Sequence, residues 1–145
     1  MYKHILIATD GSELSNKALE HGLALAKALG AKVTVATTTE PWDAVIVGEV
    51  AVVLPVERYE ETATANATAI LSRAQAVASQ AGVAVETQHV KDRHPAEGVL
   101  ETAKSKGCDL IVMASHGRRG FSRLVLGSET NEVMTRSEIP VLVVR

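Results

Sequence analysis

Short apolar runs alternate with longer segments of helical period along the whole chain, and this alternation leaves few architectures open. The runs His4–Thr9, Lys32–Thr37, Ala84–Val90, Asp109–Ala114 and Pro140–Val144 are rich in β-branched and aliphatic residues and read as strands of a buried parallel sheet. Between them lie Glu13–Leu29, Val56–Ala81, Pro95–Lys106 and Ser128–Arg136. The first places Leu14, Ala18, Gly22, Leu25, Ala26 and Leu29 on a helical stripe, and the second does the same with Ala63, Ala67, Ile70, Leu71, Ala74, Val77, Ala78 and Ala81. Gly30, Gly82 and Gly107 close three of these helices just before a strand. Ser12 and Ser128 suit N-caps, and Pro95 suits the first helical position. Right-handed crossovers then give a doubly wound α/β fold: a five-stranded parallel sheet with helices on both faces. A chain of 145 residues is one domain's worth, so residues 1–145 read as a single unit with a self-sufficient core.

Composition narrows the function classes. Hydrophobic residues make up 46% of the chain but aromatics only 3%, so Ala, Val, Leu and Ile must fill the core. A formal net charge of -2 argues against nucleic-acid binding. The single cysteine, Cys108, precedes an apolar strand and reads as a buried thiol rather than half of a disulfide. The most apolar stretch, Ala44–Val56, carries Glu49 and falls short of the roughly 20 residues a bilayer crossing needs. Met1–Ile7 runs straight into a strand with no leader pattern, so a cytoplasmic protein with no membrane partner is the expectation. The connection Thr38–Pro55 is long and apolar, with no strong helical period. It reads either as packing against the core with a short strand, or as a lid or partner surface.

In open parallel sheets ligands bind beyond the carboxyl ends of the strands, where strand order reverses. Two segments qualify: Ala8-Thr9-Asp10-Gly11-Ser12 after the first strand, and Met113–Ser128 after the fourth. The second reads as a phosphate site. Gly117 and Gly120 let the backbone approach a ligand, and Gly127-Ser128 open a helix whose free amides favour an anion. Arg118, Arg119 and Arg123 can neutralise phosphate charge. Other chemistries lack their patterns. There is no G-x-G-x-x-G after the first strand, no G-x-x-x-x-G-K-[ST] and no G-x-S-x-G around Ser12 or Ser115. His4, His21, His89, His94 and His116 form no H-E-x-x-H and no paired Cys/His ligand set, which leaves His89–His94 as the one conceivable metal pair, and His116 reads as a loop residue near the ligand.

Ala114, two residues, Gly117, nine residues, Gly127 and Ser128 resemble the nucleotide loop of the universal stress protein family, with Ala114 where the first glycine is usual. Ile5–Ser12, Pro95-Ala96-Glu97, Ser115-His116-Gly117-Arg118 and Pro140–Val144 are similar to the family's other recognisable stretches, so the resemblance spans the chain. It implies strand order 3-2-1-4-5 and a homodimer paired through the last strand. It also implies a cofactor, ATP or else AMP or ADP; a magnesium ion carried by the phosphates is an alternative partner for Asp10, behind the ribose. The expected contacts are Ala8, Thr9, Asp10 (ribose), Thr38 (adenine edge), Met113, Ala114, Gly117, Arg118, Gly127, Ser128 and Glu129. The function implied is a stress-response regulator that binds ATP as a dimer with little or no turnover. The alternative is a dimeric interaction module that no longer binds nucleotide. No evident base and second-substrate pocket supports an ATP-using enzyme.

Overall fold

Ile5, Leu6 and Ile7 have no exposed surface, so the first strand is covered on both faces and alternate side chains enter different cores. The computed structural model describes residues 1–42, 45–47, 50–52, 55–117 and 125–145. The elements among the described residues are β1 (His4–Ala8), α1 (Glu13–Leu29), β2 (Lys32–Thr39), β3 (Val45–Val47), β4 (Val50–Val52), α2 (Val56–Ala81), β5 (Val85–Lys91), α3 (Pro95–Lys106), β6 (Leu110–Ala114), α4 (Ser128–Arg136) and β7 (Val141–Val144). β5, β2, β1, β6 and β7 lie side by side in that order, every pair parallel. In chain order this is 3-2-1-4-5, as the resemblance implied. β3 and β4 pair antiparallel with each other, so the long apolar connection holds a separate hairpin.

Ile5, Ile7, Val33, Val35 and Val112 meet Leu19 and Leu23 of α1 and Ala74 and Ala78 of α2. On the opposite face Leu6, Ala36, Ile111 and Met113 meet Ala96, Val99 and Ala103 of α3 and Val133 of α4. The alanine-rich stripe of α2 lets that helix lie close to the sheet, which offsets the scarcity of aromatics. Asp109 fastens the start of β6 to β1, its carboxylate accepting from the amides of Lys3 (2.8 Å) and His4 (3.0 Å).

The four helices have the bounds read from the sequence, whereas some local details differ. The buried stripe of α1 is Ser15, Ala18, Leu19, Gly22, Leu23 and Ala26; Leu29 is 38% exposed, because the helix docks through a stripe shifted from the expected one. Ser12 caps α1 as expected, its Oγ accepting from the amide of Ser15 at 3.2 Å. Ser128 does not cap α4: the cap position is Gly127, and Ser128 is the first helical residue. The reason is steric, since a Cβ at residue 127 would lie 3.1 Å from His116 Cα and 3.3 Å from the Ser115 carbonyl. β2 outruns its expected end at Thr37 and continues to Thr39, because β5 supplies partners as far as Lys91.

Candidate functional site

β1 stops before β2 does, and this stagger makes the site. β1 pairs with β2 from His4↔Lys32 to Ala8↔Ala36, and then the chain turns away through Asp10 and Gly11. Gly11 has φ 79, a backbone that side chains with a Cβ resist, and this turn carries the chain into the α1 cap. β2 continues with partners on the β5 side alone, up to Thr39↔Lys91. The Ala36 carbonyl accepts from the Thr9 amide at 3.0 Å, so Ala36 directs its peptide groups toward β1. By the two-residue strand period Thr38 directs its N–H and C=O to the same side, where β1 is no longer present. Thr39, one residue on, accepts from Arg93 N on the other side.

Beyond these strand ends lies a cleft of about 510 Å³. Ala8, Thr9, Asp10, Thr38, Met113, Ala114, Gly117, Gly127, Ser128 and Glu129 all line it, so the structure gathers these expected residues around one space. Arg118, together with Arg119, Gly120 and Arg123, lies outside the described residues. His116 also lines the cleft.

Hydrogen bonds hold each wall. Asp10 Oδ1 accepts from the Ser12 amide at 2.9 Å, and Thr9 Oγ1 accepts from the Gly11 amide at 3.2 Å. Gly117 lies flat against Asp10; a Cβ there would overlap Oδ2 of the carboxylate. Ser115 N donates to the Val144 carbonyl at 2.8 Å, and the returning Gly127 N donates to the Ser115 carbonyl at 2.8 Å. Thr130 Oγ1 donates to the Ala114 carbonyl at 2.8 Å. Together these bonds pin both ends of the segment Ala114–Ser128 to the carboxyl end of β6. No side chain caps α4, so its first amides and the positive end of its dipole face this space. Glu129 Oε2 accepts from the Ala96 amide at 2.7 Å, which binds the start of α4 to the start of α3.

The ionisable neighbours sit at the β2 end. Tyr59 donates its hydroxyl to the Glu40 carbonyl at 2.7 Å, and burial, then the Glu40 and Asp92 charges, push its pKa up. His89 Nε2 and Thr39 Oγ1 are 2.7 Å apart; burial, then Lys91, holds the imidazole pKa below its usual value. Among the described residues no group of three or more His, Cys, Asp or Glu is placed to hold a metal ion.

Sequence reasoning missed one wall. Tyr59, Thr62, Ala63, Asn66 and Ile70 of α2 line the cleft, as do Pro95 and Val99 of α3. The signal was present: Tyr59, Thr62, Asn66 and Ile70 recur at spacings of three and four beside the alanine stripe. A polar stripe flanking an apolar one reads as a solvated face until the helix is docked.

Comparison with known proteins places this architecture. The family model for the universal stress protein family matches residues 1–145. Universal stress protein YxiE of Bacillus subtilis is 33% identical over 153 residues, covering all of both chains. Universal stress protein MJ0531 of Methanocaldococcus jannaschii is 33% identical over 151 residues, covering 100% of this chain and 83% of its own. A crystal structure of a universal stress protein in complex with cAMP superimposes with a TM-score of 0.71 at 28% identity, covering 99% of this chain and 97% of the other.

Proposed function

Because the chain belongs to the universal stress protein family, we propose that it binds an adenine nucleotide in the cleft and acts as a dimeric regulator with little or no turnover. The observation that carries this reading is the convergence of three complementary groups on one space. The Thr38 peptide groups are open at the strand stagger, the Asp10 carboxylate sits at the end of β1, and uncapped amides face the cleft at the start of α4. A peptide N–H and C=O side by side match the N1 acceptor and N6 donor of adenine. A carboxylate matches ribose hydroxyls, and uncapped helical amides match phosphate. The cAMP complex of a 28% identical relative supports an adenine ligand.

ATP is the proposed nucleotide, with its phosphates on the amides between Gly117 and Ser128. Magnesium arrives with those phosphates, and Asp10 is a carboxylate within the cleft that can meet it. Residues 1–145 act as one nucleotide-binding unit, a cytoplasmic one, dimerised through β7.

The second reading, an interaction module without nucleotide, rests on Ala114 standing where the family loop has glycine. Acid extraction of the purified protein, followed by nucleotide analysis, separates the two. Released adenine nucleotide, with ATP binding to the emptied protein by calorimetry, supports the first. An emptied, folded protein that binds no adenine nucleotide overturns it.

A further inference from the structure

Given the nucleotide reading above, on which this inference rests, we propose that Asn66 is the base-specificity residue of the cleft, its side-chain amide pairing with N6 and N7 of adenine. The apolar part of the cleft wall formed by α2 is Ala63, Ala67 and Ile70, beside Tyr59 and Thr62. Such a surface suits the face of a planar base and offers nothing to its edge. Asn66 interrupts it, one turn beyond Thr62 on the same stripe.

Two of the hydrogen-bonding side chains at this end of the cleft are already engaged. Tyr59 donates to the Glu40 carbonyl and Thr39 pairs with His89. Asn66 has no hydrogen-bond partner among the described residues, and its side chain lies on the exposed part of the helix. It carries a donor and an acceptor side by side. Adenine presents the complement, an N6–H donor beside the N7 acceptor, and an Asn amide meets that pair with two parallel bonds. Guanine presents two acceptors, O6 and N7, on the same edge, so the amide satisfies only one of them.

The assignment also completes the base. With N1 and one N6 proton held by the Thr38 peptide groups, the second N6 proton and N7 remain, and they need a partner from outside the sheet. α2 packs across β2 and β5 on one face of the sheet, with α3 on the other, and Asn66 is the side chain of α2 that supplies that partner.

The test is calorimetric titration of the full chain and its Asn66→Ala variant with ATP and with 7-deaza-ATP, which lacks the N7 acceptor. Wild type is expected to bind 7-deaza-ATP about tenfold more weakly than ATP, the cost of an unpaired donor. Asn66→Ala is expected to bind both ligands equally, with ATP weakened about tenfold or more. Alanine at an exposed helical position leaves folding intact, and an unchanged melting temperature verifies this. Thr68→Ala, on the same helix but outside the cleft lining, should retain the wild-type preference. A preference that survives in Asn66→Ala, or a wild type indifferent to N7, overturns the assignment. A wild type that binds neither ligand overturns the nucleotide reading, and the assignment falls with it.

Discussion

Gly117 and Gly127 do different work although both belong to the nucleotide-loop pattern. Gly117 makes room for the Asp10 carboxylate, and Gly127 lets the chain pass His116 and Ser115 at the start of α4. Gly127→Val is therefore expected to abolish ATP binding by pushing α4 away from the loop. Asp10→Ala should weaken binding by about 1.5–3 kcal/mol, the worth of a hydrogen bond to a charged group. Gly117→Ala should reproduce most of that loss, because the new Cβ displaces the same carboxylate. Calorimetry on the three variants checks this order. Ala114 is 7% exposed, ends β6 and pairs with Val144, so its methyl belongs to the core as much as to the cleft. Ala114→Gly should leave ATP affinity similar or slightly better. It should cost about 0.5–1 kcal/mol of stability through strand entropy, read as a lower melting temperature. A gain of binding from a wild type that has none would show that the methyl disables the loop.

At the scale of elements, closeness between helix and sheet is the theme. Gly22 of α1 faces Ile7, and a Cβ there would sit 2.6 Å from Ile7 Cδ1. Gly22→Ala gains about 1 kcal/mol of helix propensity but overpacks a site with no free volume, at a cost of about 1–3 kcal/mol. Thermal unfolding should show a net loss, with ATP affinity unchanged, because Gly22 lies away from the cleft. Cys108 stands at the entry to β6, buried at 6% exposure. Burial, then the charges of Asp109 and Glu86, push its thiol pKa up to about 11. In the unfolded chain the thiol ionises near pH 8.5. Above that pH the unfolded state sheds a proton that the folded state keeps, so stability falls as pH rises toward 11. Denaturant titrations between pH 8 and 11 should show this slope, and Cys108→Ala should flatten it. At pH 8 the folded thiol should react with a disulfide reagent far more slowly than the unfolded one.

Among the described residues β7 is a sheet edge, with β6 as its strand neighbour. Val141 packs into one core and Leu142 and Val144 into the other, all only half-buried. An apolar, unpaired edge is an aggregation hazard that two-fold pairing removes. A homodimer by light scattering at high micromolar concentration is the expected result. Val143→Lys should then give monomer or aggregate. A wild-type monomer under those conditions would refute pairing through β7.

The sequence by itself determined the order of the five sheet strands and four helices along the chain, the helix bounds and the parallel α/β class, because each depends on residues close along the chain, but it did not show the β3–β4 hairpin. Apolar period, helix-ending glycines and the spacing from Ala114 to Ser128 all survive without knowledge of neighbours. Tertiary structure decided what stands opposite what. β1 ending three residues before β2 follows from pairing of β2 with β5, which lie some fifty residues apart. The Ser12 cap was legible, but the Gly127 cap was not, since it depends on His116 crossing beneath it. Asn66 lines the cleft only because α2 lies across the sheet. The bond from Glu129 to Ala96 joins two helix starts that are adjacent only in space. Burial period is a local property of a segment, whereas strand stagger and helix docking are set by contacts between distant segments, and the cleft is made of the latter.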